Sequence, residues 1–189
     1  MNFRISSPPF FIPVLLASAV LAQPLAVSQA RAASAAEIDR EVDAALVAFR
    51  RIEGADAFLS IAKGVLVFPK VYKAGIWVGG EYGEGALRVG GNSVDYYSTA
   101  GASFGFQFGA QAKTIVILFT DESALRKFRD SEGWKVGVDG SVALVDIGVG
   151  KTVDTTNIKD PVIGFVFGQK GLMYNLTLEG SKFTKLEKK

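Results

Sequence analysis

The chain has 189 residues, 49% of them hydrophobic and 21% charged, which suits a globular domain and argues against a disordered tail. With 21 basic and 19 acidic residues the formal charge is +2, so no broad electrostatic case exists for nucleic acid as a partner. Histidine and cysteine are both absent, which excludes Ser-His-Asp and Cys-His triads, thiolate chemistry, disulfides and zinc sites built on His or Cys. An enzyme here would have to work with carboxylates, Lys, Tyr, Ser or Thr alone. Composition therefore leans toward binding, with no catalytic residue, cofactor or metal expected.

Residues 1–32 read as a signal peptide. Arg4 supplies a short positive start, residues 10–22 are apolar apart from Pro13 and Ser18, and Ala30-Arg31-Ala32 fits a small-x-small cleavage rule. An uncleaved anchor is the alternative, although the apolar run falls short of the ~20 residues a span needs and prolines punctuate it. Cleavage near Ala32 removes Arg4 and Arg31, leaves 19 basic against 19 acidic residues, and implies a periplasmic or secreted product.

The remaining chain, 33–189, reads as one α+β domain. Ser34 and Glu37 have capping-box spacing, and Ile38, Val42, Ala45, Leu46 and Phe49 then recur as a helical stripe. Gly54 closes that helix, and 55–62 forms a second, short one. From Gly64 the period changes to two. Residues 65–68 make a strand closed by Pro69, and 76–82 and 104–108 alternate bulky residues with glycine. Residues 114–119 form a β-branched apolar run. Turn residues predict hairpins at Gly91-Asn92, at Asp139-Gly140 joining 134–138 to 141–147, and at Gln169-Lys170-Gly171 joining 162–167 to 172–178. One more helix covers 122–130, with Leu125 and Phe128 inward. The expected architecture is N-terminal amphipathic helices packed on a mainly antiparallel, glycine-rich, barrel-like sheet.

Three motifs bear on chemistry. Gly148-Val149-Gly150-Lys151-Thr152 resembles the end of a phosphate-binding loop, but Val145 stands where the first glycine belongs and no helix follows. Glu81 and Glu84 are raw material for carboxylate catalysis, yet three residues apart on a strand they point to opposite faces unless a bulge intervenes. Lys63, Lys70 and Lys73 flank an apolar strand and, beside Arg50 and Arg51, form either a cationic rim for anionic lipid headgroups or ordinary solvated strand ends.

Lys63-Gly64-Val65-Leu66-Val67-Phe68-Pro69, Lys73-Ala74-Gly75, Gly79-Gly80-Glu81-Tyr82-Gly83-Glu84-Gly85 and Leu178-Glu179-Gly180-Ser181 together resemble the SYLF-domain family. Tyr97-Ser98, Gly105-Phe106-Gln107-Phe108-Gly109, and Ala124-Leu125 with Phe128 fall between them in the expected order. The likeness spans Glu37 to Glu187 and is nearest to the exported bacterial, lipid-binding branch. It implies a non-catalytic protein that meets anionic, phosphoinositide-like lipid through Phe49, Arg50, Arg51, Lys63, Lys70 and Lys73. The acidic first turns of the helix depart from a strongly basic membrane helix, and the actin role of fungal members is not carried over. The alternative is an envelope structural module with a protein partner and no lipid ligand. The helix stripe cannot face membrane and core at once.

Overall fold

A computed structural model describes residues 33–75, 78–104, 111–146, 159–170, 178 and 180–188. The signal-peptide reading of 1–32, Trp77, Phe106, Phe108, the loop at 148–152 and the strand at 172–177 lie outside the described residues, as does the side chain of Phe104. Among the described residues the order is α1 (Ala35–Arg50), α2 (Ala55–Ile61), β1 (Gly64–Gly75), β2 (Val78–Val89), β3 (Asn92–Phe104), β4 (Gln111–Phe119), α3 (Glu122–Asp130), β5 (Gly133–Lys135), β6 (Ala143–Asp146), β7 (Val162–Lys170) and β8 (Lys182–Leu186). Ala32–Lys189 forms one compact unit.

The eight strands make one sheet in the order β5-β8-β3-β2-β1-β4-β7-β6, antiparallel except for the β6–β7 pair. It curls into a half-barrel. Phe68 on β1 stacks on Phe183 of β8 with ring centroids 5.3 Å apart. Three strand spacings separate β1 from β8, roughly 14 Å in a flat sheet at about 4.8 Å per step. The α+β, barrel-like reading therefore holds.

Each face of the sheet has its own apolar layer. The concave layer joins Leu66, Phe68, Leu87, Tyr97, Ile115, Ile117 and Phe119 to Leu125 and Phe128 of α3. Phe128 touches Tyr97, Phe119, Trp134 and Phe183, so α3 plugs the hollow of the curl. The convex layer receives Ile38, Val42, Ala45 and Phe49 of α1 and Phe58 of α2 on Val67, Val116, Leu118, Ile163 and Phe165.

Helix α1 starts as its sequence requires: the Ser34 side chain accepts the Glu37 N–H. Its acidic first turns, at odds with a membrane helix, have structural partners instead. Asp39 accepts hydrogen bonds from Ser93 Oγ at 2.6 Å and Tyr96 OH at 3.0 Å, and Asp43 pairs with Arg88 at 2.8 Å. At the other end Phe49 meets Phe165 edge-on at 5.0 Å and stacks on Phe167 at 5.7 Å.

Several expected boundaries shift. Strand β1 does not end at Pro69 but runs on to Gly75 through a bulge, because β1 spends three residues from Val67 to Lys70 where β2 spends two. The bulge accommodates a proline in a central strand, where it has no N–H for the ladder. It also carries β1 carbonyls over β2: a Cβ at Gly85 would lie 2.0 Å from Val67 O, and one at Gly83 2.6 Å from Lys70 O. The first hairpin turns at Gly90-Gly91, not Gly91-Asn92. Both φ angles are positive, as a two-residue hairpin loop demands. Asp139 does close a turn, its carboxylate accepting the Lys135 N–H at 2.7 Å, but β5 and β6 form no hairpin. They occupy opposite edges of the sheet, β5 beside β8 and β6 beside β7.

Phe49→Ala is expected to cost about 3–5 kcal/mol in urea melts, because it opens a cavity in the convex layer. Gly85→Ala is expected to cost about 1–3 kcal/mol by the same measurement, because the new methyl has no room beside the bulge.

Candidate functional site

The six residues of the predicted lipid-facing rim do not share a surface. Phe49 is fully buried between α1 and β7, so it belongs to the core and not to an exposed face. Lys73 is also buried, only 7% exposed, and lies inside the curl. The bulge is the reason for both lysine positions. Before it Leu66 and Phe68 face the hollow; after it Val71 and Lys73 do, while Lys70 and Tyr72 turn to the convex side. There Lys70 is engaged by Glu41 of α1, and that hydrogen bond holds its ammonium above its ordinary pKa. Arg50, Arg51 and Lys63 remain exposed, with no ion pair among the described residues.

Inside the curl the apolar layer gives way to a charged cluster that sequence reasoning did not assemble. Lys113 Nζ donates to Glu81 Oε2 at 2.8 Å, with 3% and 6% of the two side chains exposed. Ser181 Oγ donates to the other carboxylate oxygen, Oε1, at 3.3 Å. Lys73 stands directly across the β1–β2 ladder from Glu81. Burial pushes the Lys73 ammonium below its ordinary pKa; Glu81 opposes that shift and Lys113 adds to it. Gly101, the β3 partner of Glu81, lets the carboxylate pack close: a Cβ there would lie 3.3 Å from Oε1. Alternation alone held a signal for two of these residues. Lys113 shares its face with Ile115, Ile117 and Phe119, and Glu81 shares its face with Leu87, so both charges fall on core-facing positions.

Glu84 takes no part in this cluster. Strand register is continuous from Glu81 to Glu84, so the two side chains point to opposite faces. On the convex side Glu84 accepts from Tyr82 OH at 2.9 Å and pairs with Lys188 at 2.8 Å. Tyr82 and Glu84, with Glu37, Glu41, Lys70 and Tyr72, line a groove of about 290 Å³ beside the start of α1. The Glu81–Glu84 pair that a two-carboxylate glycosidase requires is not formed.

Residues 100–189 match the family model Ysc84, described as Las17-binding protein actin regulator. This is the SYLF domain. The match over that stretch is consistent with the SYLF resemblance drawn from the motifs. No curated protein matches it. The SYLF match takes in Lys113 and Ser181 of the interior cluster, whereas Lys73, Glu81 and the exposed Arg50, Arg51 and Lys63 precede it.

Glu81→Gln removes the carboxylate that pairs with buried Lys113, and is expected to destabilise the fold by about 3–5 kcal/mol. Adding Lys113→Met to that variant is expected to restore part of the loss. Urea melts of the two singles and the double measure the coupling.

Proposed function

We propose that this is an exported, non-catalytic protein that associates reversibly with anionic lipid surfaces. The SYLF resemblance supports the lipid reading, and the leader-like residues 1–32 support export. The observation that carries the surface assignment is the helical pair α1–α2. Along it Arg50, Arg51 and Lys63 are exposed without ion pairs among the described residues, and Val47 and Ile61 expose apolar side chains, 55% and 44% accessible.

The strength of such an association follows from what the fold withholds. The main stripe of α1 is committed to the core, Lys70 to Glu41, and Lys73 to the interior. Three cations remain, each contributing on the order of 1 kcal/mol beside an anionic surface. Exposed Glu53 and Asp56 in the same segment offset part of that attraction. Val47 and Ile61 offer shallow apolar contacts in place of an inserted helix face. No helix among the described residues is long and apolar enough to cross a membrane. The outcome is weak, salt-sensitive docking through headgroup contact.

Residues 33–189 are expected to co-sediment with anionic vesicles and not with zwitterionic ones, with binding lost as salt rises. Arg50→Glu with Arg51→Glu is expected to abolish that binding and leave the melting temperature unchanged. Equal binding to both vesicle types would end the proposal. Export predicts that protein recovered from cells begins at Ala33, which N-terminal mass spectrometry reads directly.

A further inference from the structure

We propose that the groove beside the start of α1 seats the α-ammonium that cleavage after Ala32 creates on Ala33. Removal of the leader thereby completes an ion network that ties the first residue of the domain to Lys188, beyond the last strand. This rests on the export reading, because only processing at that bond puts a charge on the Ala33 nitrogen.

The charge balance of the groove is the first ground. Ala33 lines it together with Glu37, Glu41 and Glu84, and the lining cation is Lys70. Lys70 is engaged by Glu41, and Lys188 pairs with Glu84. Glu37 has no ion pair among the described residues. With Lys188 included, the carboxylates outnumber the ammonium groups by one, so one further cation brings this corner to neutrality. In the unprocessed chain the Ala33 nitrogen belongs to an amide and carries no charge.

The placement of Ala33 is the second ground, and it is independent of the first. Lys188 Nζ donates to the Ala33 carbonyl at 2.9 Å and to Glu84 Oε2 at 2.8 Å. The Lys188 and Glu84 side chains are largely buried, which shields this bridge from water. One residue on, Ser34 caps α1 by accepting the Glu37 N–H. The Ala33 nitrogen therefore starts from a fixed position at the rim of the groove. Two effects oppose a charge there, the positive end of the α1 dipole and the Lys188 ammonium. Glu37 in the first turn of α1 offsets the dipole. The exposed rings of Tyr72 and Tyr82, partners across the β1–β2 ladder, line the same groove and offer faces that attract a cation. The excess carboxylate decides the sign, and the ammonium is held.

An ammonium stabilised in this way has its pKa raised above the ordinary α-amine range of about 7.7–8.0. The stability it adds is complete below the unfolded value and is lost as pH rises through the folded one. The test compares the chain beginning at Ala33 with the same chain acetylated at its α-amine. At pH 7 the free amine is expected to melt ~2 °C or more above the acetylated chain, with the difference closing by about pH 10, where the amine is neutral. A nuclear magnetic resonance titration of the α-amine is expected to place its pKa above the ordinary range. Glu37→Gln is expected to lower that pKa, and Lys70→Met, which frees Glu41, to raise it. Opposite shifts from two exposed, non-core substitutions are not produced by a merely structural change. An α-amine that titrates at or below the ordinary range, or equal melting of the two chains at pH 7, would overturn the seat. Mass spectrometry of protein recovered from cells tests the export reading separately: a start other than Ala33 overturns the link to processing, whatever the titration of the prepared chain gives.

Discussion

One extra residue in β1 decides where the charges of this protein lie. The bulge between Val67 and Lys70 reverses the alternation of the strand, so that Val71 and Lys73 continue the concave face begun by Leu66 and Phe68. Without it Lys70 and Tyr72 would enter the hollow and Lys73 would face out. With it Lys70 reaches Glu41 on α1, and Lys73 joins Glu81 and Lys113 inside. The glycines of β2 are the complement of the same feature. Gly83 and Gly85 lie under the displaced β1 carbonyls, where any side chain would collide with backbone.

The curl follows from fitting two layers of unequal demand to one sheet. The convex side is covered at one end by α1 and α2, whose aromatic contacts converge on Phe165. The concave side must be closed by what it can fold over itself: α3 from within, and Trp134 and Phe183 from the far strands. Bending the sheet until Phe183 reaches Phe68 buries both rings without a second sheet, which a single layer of this size requires to make a core. The closure is apolar at the α3 end and charged at the Lys73 end. That gradient, more than the helix stripe, distinguishes the molecule from a plain helix-on-sheet domain.

Periodicity made the three helices legible, because caps and stripes are local: Ser34, the Ile38-to-Phe49 stripe, and Leu125 with Phe128 all stand where their spacing placed them. The strands were legible as strands but not in their pairings. Asp139-Gly140 has hairpin chemistry, yet β5 is drawn to β8 by Trp134 stacking on Phe183, a partner almost fifty residues away. Strand β8 escaped notice because Lys182, Thr184 and Lys185 dilute its alternation around the single buried Phe183. The lipid-facing set fared worst for a definite reason. Counting lysines around an apolar strand assumes unbroken alternation, and Pro69 marks the place where alternation breaks. Phe49 was open to either reading, and burial of its ring against Phe165 resolves it toward the core.

The basic residues thereby sort into populations governed by different physics. Arg88 and Lys70 hold α1 to the sheet through carboxylates at the surface, and such pairs contribute modestly. Arg50, Arg51 and Lys63 face water, where salt within about a Debye length of ~8–10 Å screens them. Lys113 is shielded from mobile ions by protein, so salt scarcely reaches its balance with Glu81. Ionic strength therefore separates the outer cations from the buried Lys113–Glu81 pair. The field of the outer cations fades as salt rises. The pair inside the curl keeps its attraction at 2.8 Å, so added salt weakens the surface far more than it weakens the interior of the sheet.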